Sequence, residues 1–424
     1  MKPRFSLRDL SLLLALVAIG TFFTFRIDGY RFLSSETLMQ LVVEVSIAAT
    51  LAVGMLLVIL PGHIDLSAGS GVGLLGGLAA VLISGSGWLP NWLKNVHQWI
   101  GVHFGPAAAA WFPPPPWPDP IVMLICIVVA MIVWGLMGSL IVRERIQAFI
   151  VTLGGMLFFQ GLFWKIIESK TIPVTGPSLT QSWEVPVGSD TYLVHQDWLR
   201  RLTTDYLPAT AALIAAGVIS FLMLVGGLRA WSRRARLKIE GADFETTFVK
   251  WLITAQLLFI FVIVANQHNG VPMPAVVFGA VAWFVHVLTR HTRFGRYLYA
   301  IGGNEEAALV SGINVRRVSV WAFVLMGVIV AIVGFMQTAY VGNSTTVIGT
   351  GMELNAVAAC VIGGVSLKGG RGTVLGVFLG ALIMAVLEKG MSLMGVETAD
   401  KLMTRGLVLV CAVWIDMRVN RHAA

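Results

Sequence analysis

Charge is scarce in this chain of 424 residues: 12% are charged and 57% hydrophobic, and the mean hydropathy is +0.81. A soluble domain of ordinary composition is excluded, and an integral membrane protein is implied. Cysteine is equally sparse. Cys126, Cys360 and Cys411 all lie in apolar runs with no CxxC or Cys/His spacing, so they read as packing residues and no metal site is assigned. The chain has no GxxxxGK[ST] phosphate loop and therefore no nucleotide site of that kind to drive work by itself. It also lacks HExxH and GxSxG, which removes the usual zinc-peptidase and serine-hydrolase readings and leaves no catalytic residue to name. No polar linker divides it, and residues 1–424 read as a single transmembrane domain.

What is abundant is apolar sequence and glycine. Apolar runs fall near 10–25, 38–60, 66–84, 121–142, 148–166, 207–228, 250–265, 273–289, 318–340, 354–366, 373–388 and 403–417, and 45 glycines punctuate them. The fold class expected is all-α: a polytopic transmembrane bundle of about 10 to 12 helical segments, with short or glycine-broken members that need not be full spans. The first run has no small-residue cleavage site before Arg26 and is expected to remain as an anchor.

The net charge of +8 is gathered into particular loops. Lys2, Arg4 and Arg8 precede the first run. Arg143 and Arg145 follow the fourth, and Arg229, Arg233, Arg234, Arg236 and Lys238 follow the sixth. Arg290, Arg293, Arg296, Arg316 and Arg317 bracket residues 304–315, while Arg418 and Arg421 close the chain. This distribution is an orientation signal, not a nucleic-acid footprint: those loops and both termini are expected to face the cytoplasm. The loops near 85–120, with three tryptophans and then WFPPPPWPDP, and near 168–206, with GPSLTQSWEVPVGSD, are expected on the other side.

Within the long cytoplasmic loop stands NEEAALVSGINV, residues 304–315. Asn304 suits an N-cap, Glu305 and Glu306 place negative charge where the helix dipole favours it, and Gly312 suits a left-handed stop. A helix that short is marginal alone, so it is expected to be held against something else. Capped at both ends and framed by RFGRYLYAIGG and RRV, it suits docking better than linking.

The order Glu306, Ala307, Ala308, then Gly312 resembles the EAA-type loop of ABC-transporter permeases, and GRYLYAIGGNEEAALVSGINV is similar to its form in monosaccharide permeases of the ribose, arabinose and xylose type. HIDLSAGSG at 63–71, RIQAFIVTLGGML at 145–157 and AVAACVIGGVSLKGGRGTVLGVFLGALI at 356–383 resemble further family segments in the same order. With ALIMAVLEKGMSLMGV, the xylose type is the best match, from which 85–118 and 177–205 depart.

The resemblance implies a bacterial inner-membrane permease. Two copies form a pathway, and an ATPase with tandem nucleotide-binding domains holds the ATP and magnesium, so no cofactor belongs to this chain. A periplasmic sugar-binding protein delivers the cargo. Glu305, Glu306, Ala307, Ala308 and Gly312 would make the coupling helix. The cargo implied is a neutral monosaccharide, a pentose such as xylose.

Residues 52–78 and 356–382 share an apolar run, a polar break and a glycine-spaced apolar run, a weak internal repeat. Close helix packing explains the glycines; a second reading exposes backbone at the breaks, with Asp65, Ser67 and Ser70, to a watery pathway. Glu44 is a carboxylate inside an apolar run, one or two turns from its end, where snorkelling or a local hydrogen bond serves equally. Gln160 and Gln337 lie in apolar runs. Glu353 and Asn355 stand where they can cap the tenth run, and Asn355 joins the pathway candidates. Glu388 and Lys389 fall at a span end, and His63 is assigned no proton-relay role. An ion-coupled secondary transporter is the alternative function. It calls for paired ionisable groups at mid-membrane and has no need of an EAA-type loop.

Overall fold

The computed structural model describes residues 7–105, 114–174, 183–187, 190–194, 199, 201, 205–237, 244–267 and 269–421. Residues 1–6 and 422–424, with Lys2 and Arg4, and parts of both long loops lie outside them. The protein is a helical bundle, and each of the twelve apolar runs contains a helix. In chain order these are α1 (Leu7–Arg26), α2 (Ser35–Ile59), α3 (Ala68–Ser84), α4 (Trp88–Phe104), α5 (Asp119–Arg143), α6 (Ala148–Ile166), α7 (Ala209–Arg236), α8 (Phe244–Asn266) and α9 (Met273–His291). Then follow α10 (Arg293–Gly303), α11 (Glu305–Val310), α12 (Val315–Val341), α13 (Met352–Ile362), α14 (Val374–Leu393) and α15 (Thr398–Arg421). Eight of the described helices are long and apolar enough to cross a membrane, and α3 with α4, bent by 51°, would add a ninth.

Two of these helices carried no apolar signature. α4 occupies the tryptophan-rich stretch expected as a loop, because its apolar residues are spaced around a polar face that includes Lys94 and Asn95. α10 is RFGRYLYAIGG, whose buried Gly295, Leu298 and Ile301 recur at helical spacing between exposed arginines.

Burial separates core from periphery. In α2, hydrophobic all round, 83% of the most apolar stretch is buried, against 17% in α7 and α8. α2, α3, α12 and α14 form the centre. α5 lies along α12, and α7 pairs chiefly with α8 at the edge. Short antiparallel pairs tie the ends of helices together: Ile172–Pro173 with Asn343–Ser344, and Tyr206–Leu207 with Val271–Pro272. Cys126 and Cys360 are buried, the latter's thiol 3.2 Å from the Ala52 carbonyl, but Cys411 is exposed on α15 and is not a packing residue.

The internal repeat has a backbone counterpart. α2 and α3 are joined by a turn at 60–67, and α13 and α14 by one at 363–373. In the first, Gly62 N–H donates to Ile59 O at 2.8 Å and His63 N–H to Val58 O at 3.1 Å. In the second, Gly364 N–H donates to Val361 O at 3.0 Å and Val365 N–H to Cys360 O at 2.9 Å. Both glycines have φ +92°. Each is a Schellman closure, in which a left-handed residue lets two N–H groups satisfy the last helical carbonyls.

Candidate functional site: a capped surface and three cavities

Three caps build the surface at one end of the bundle. Thr292 Oγ1 accepts from Gly295 N–H at 3.2 Å to start α10, Asn304 Oδ1 from Ala307 N–H at 2.9 Å to start α11, and Asn314 Oδ1 from Arg317 N–H at 3.0 Å to start α12. Gly312, at φ +80°, closes α11, with its own N–H on Leu309 O and Ile313 N–H on Ala308 O. A Cβ at Gly312 would meet nothing within 4 Å, so the glycine is required by its backbone angle and not by crowding. Ala308 is buried beneath the helix, while Glu305, Glu306 and Ala307 face outward beside Leu309 and Val310, the last 90% exposed. Two carboxylates thus stand next to two bare aliphatic side chains on one exposed surface.

Beside this surface a cavity of about 770 Å³ is lined by Gly62, His63, Arg145, Gln147, Glu305, Glu306, Arg316 and Ser319. His63 sits against Phe323, ring centroids 5.9 Å apart. Burial pushes its pKa down, only partly opposed by the Glu305 carboxylate.

Towards the opposite end of α2, a second cavity of about 180 Å³ brings together Glu44, Gln337 and Asn355 with Tyr340 and Glu388. Glu44 Oε1 accepts from Lys389 Nζ at 3.0 Å and from Tyr340 O–H at 3.4 Å, and Lys389 also donates to Gln40 at 2.8 Å. Glu388 pairs with Arg405. Glu388 and Lys389 are thus more than ordinary span-end charges. One lines this cavity and the other neutralises Glu44. Their recurrence one turn beyond Met384 and Ala385 was the available signal, but a partner 345 residues away is invisible in sequence.

A third cavity, about 170 Å³, is lined by Ser70, Gln160, Thr346, Thr350 and Glu353 among others. α13 stands between the two: Glu353 borders this one and Asn355, two residues on, the other. Neither residue caps the helix, whose N-cap is Gly351.

Asp65 and Ser67 belong to none of the three cavities, correcting the expectation that the break exposes them: both are fully buried. Asp65 Oδ1 accepts from Ser67 N–H at 2.9 Å and Ser67 O–H at 2.6 Å, and Oδ2 from Trp134 Nε1–H at 2.7 Å. Three donors compensate a buried carboxyl and fasten the first turn to α5. Trp134, missed in the sequence, also packs over Gly71, where any Cβ would strike its ring, and beside Gly327, where one would meet Ala130 O and the Trp134 Cβ.

A family described as branched-chain amino acid transport system / permease component matches residues 37–413. The chain belongs to this permease family. The permease is 32% identical to the xylose transport system permease protein XylH of Escherichia coli (strain K12), over 96% of its own length and 91% of the relative's. It is 33% identical to XylH of Haemophilus influenzae, over 96% and 95%. It is also 27% identical to the ribose import permease protein RbsC of E. coli (strain K12), over 91% and 87%. No solved structure matches the permease.

Proposed function

We propose that the chain is the membrane-spanning permease subunit of an ATP-driven importer of a monosaccharide, a pentose such as xylose. The similarity to permeases for xylose and for ribose supports the substrate class. The observation that carries the mechanism is the capped α11 surface, with Glu305, Glu306, Leu309 and Val310 presented outward from a bundle that has no phosphate loop of its own. A separate ATPase with two nucleotide sites, holding ATP and magnesium, docks there. A second permease copy completes the pathway, and a periplasmic sugar-binding protein loads it from the far end. The basic loops support a cytoplasmic position for α10, α11 and both termini of a bacterial inner-membrane protein.

The pathway chemistry follows from the cavities. Gln337, Asn355 and Tyr340 offer neutral donors and acceptors that replace water around sugar hydroxyls, and Gln160 and Ser70 do so in the neighbouring cavity. A transient station must also release its cargo, which suits a small cavity with few polar groups. Two carboxylates, Glu44 and Glu388, border the cavity of Gln337 and Asn355, the feature an ion-coupled carrier would need. Each is paired with a base, Lys389 and Arg405, so neither is free to carry an ion.

The test is reconstitution with the cognate ATPase and binding protein, followed by uptake of labelled pentoses, hexoses and amino acids. Pentose uptake that requires ATP is expected; uptake of an amino acid or ion with no sugar overturns the assignment. Sidedness is read separately, by single cysteines in a Cys-free background. Those at Ser232 and Ser311 should be shielded from an impermeant reagent in intact cells, and one at Ser86 should react.

A further inference from the structure

The segment that presents the docking surface is joined, backbone to backbone, to both broken hairpins. A Cβ at Gly302, near the end of α10, would lie 1.9 Å from Leu60 O in the first turn and 2.3 Å from Gly370 N in the second. One at Gly369 would lie 2.8 Å from Gly302 Cα and 2.9 Å from Gly62 N. The two turns are themselves bonded, Gly370 N–H to Leu60 O at 2.9 Å, and Tyr299 O–H on α10 donates to Gly372 O at 2.8 Å. Gly303, one residue on, has nothing within 4 Å of its Cβ position, so the crowding belongs to the joint and not to the helix end in general.

We infer that Tyr299 and Gly302 are positioning residues for transport, forming with Leu60, Gly369 and Gly370 a joint that passes displacement of α10 and α11 to both broken hairpins at once. This rests on the importer reading, because the displacement is supplied by the docked ATPase. The physical reason is the absence of side chains at the contact. A long side chain absorbs a small shift by changing rotamer, whereas apposed backbones in contact distance cannot, and close-packed interiors transmit such shifts. α10 is seated by Leu298 and Ile301, both buried, so it moves against the core as a unit. From the turns, α2 runs directly to Glu44 and α14 to Glu388, each about 24 Å away at the helical rise. α13 leads from the second turn back to Asn355. The joint therefore connects the docking surface to three of the side chains around the far cavity.

The experiment uses the complete assembly of permease, ATPase and binding protein in proteoliposomes, with labelled xylose as cargo. ATP hydrolysed and sugar accumulated are measured together for wild type, Gly302→Ala, Tyr299→Phe and, as control, Gly303→Ala. Loss of the joint should leave ATPase binding and hydrolysis within about twofold of wild type while sugar moved per ATP falls, by about tenfold in Gly302→Ala and about threefold in Tyr299→Phe, which removes a single hydrogen bond. Gly303→Ala should match wild type. Hydrogen exchange of the same complexes, with and without a non-hydrolysable ATP analogue, reads the joint without reference to cargo. In wild type, 60–67 and 363–373 should change together on nucleotide binding. In Tyr299→Phe, which keeps the fold if Gly302→Ala does not, the change should weaken in the second turn first.

Unaltered sugar per ATP in both variants, or exchange at the two turns that does not respond to nucleotide, overturns the joint. A wild-type assembly whose turns respond but which moves no pentose counts against the substrate reading alone. Failure of any ATPase to bind the wild-type permease overturns both.

Discussion

The two broken hairpins solve one backbone problem in the same way and are then fastened differently. At each turn a glycine at φ +92° closes the incoming helix with a paired set of hydrogen bonds. The first turn is held by side chains: Asp65 gathers Ser67 and the Trp134 indole, a knot reaching from the break to α5. The second is held by backbone crowding. Cβ atoms at Gly363 and Gly376 would each lie 2.2 Å from the other's carbonyl oxygen, and one at Gly380 would lie 2.0 Å from Ala359 O. A polar knot is specific in direction and costly to leave half-satisfied, whereas a glycine contact is indifferent to direction and intolerant of volume. The repeat at 52–78 and 356–382 therefore marks a shared turn and not a shared fastening.

The largest test of that difference is Asp65→Ala. It strands the Trp134 and Ser67 donors in a fully buried site and should cost about 3 kcal/mol or more, read as a fall in thermal unfolding temperature in detergent. An equivalent loss from deleting the Lys368 side chain at the second turn would mean that both turns use polar fastening after all. Next in size is Gly363→Ala, where the added methyl meets the Gly376 backbone. Overpacking there should cost about 2 kcal/mol, and a well-expressed variant of unchanged stability would remove the crowding argument.

Gly62→Ala should be milder, about 1 kcal/mol, because only Lys368 O approaches the new Cβ, at 3.4 Å, and the cost is that of the left-handed angle. If it proved as damaging as Gly363→Ala, the space at the Gly62 Cβ would have to be as tight as that at Gly363. The smallest effect is one of pH. His63 is the one ionisable side chain of the first turn with a depressed pKa outside the buried knot, and burial causes the depression. A histidine held neutral in the folded state contributes stability above its ordinary pKa of about 6.5 that is lost as pH falls through the lowered value. Acid destabilisation over that window should be shallower in His63→Gln, as followed by unfolding at stepped pH. An unchanged slope would assign the acid sensitivity elsewhere.

Some of the molecule was legible because its causes are local. Asn304 caps and Gly312 stops α11 as their chemistry requires, since a cap needs only the N–H groups of its own first turn and a left-handed stop only its own φ. α10 and α4 escaped because their apolar residues share a helix with arginines or with lysine and asparagine, and mean hydropathy hides a face that periodicity would reveal. Asp65 shows the limit most clearly. A carboxyl beside two serines and a glycine reads as a solvated break, yet an indole 69 residues away closes over it.

The sequence by itself determined that this is a membrane-embedded helical bundle, where its apolar helices run, and which short segment is capped at both ends and acidic. Hydrophobic length, capping and glycine torsion act within a few residues and need no knowledge of the fold. The tertiary structure alone decided that Glu44 meets Lys389, that Gln337 and Asn355 share one cavity while Gln160 and Ser70 share another, and that Gly302 touches both turns. Those contacts join residues far apart in the chain, and they exist because glycine lets the central helices approach closely enough to bring the two breaks together at one end of the bundle.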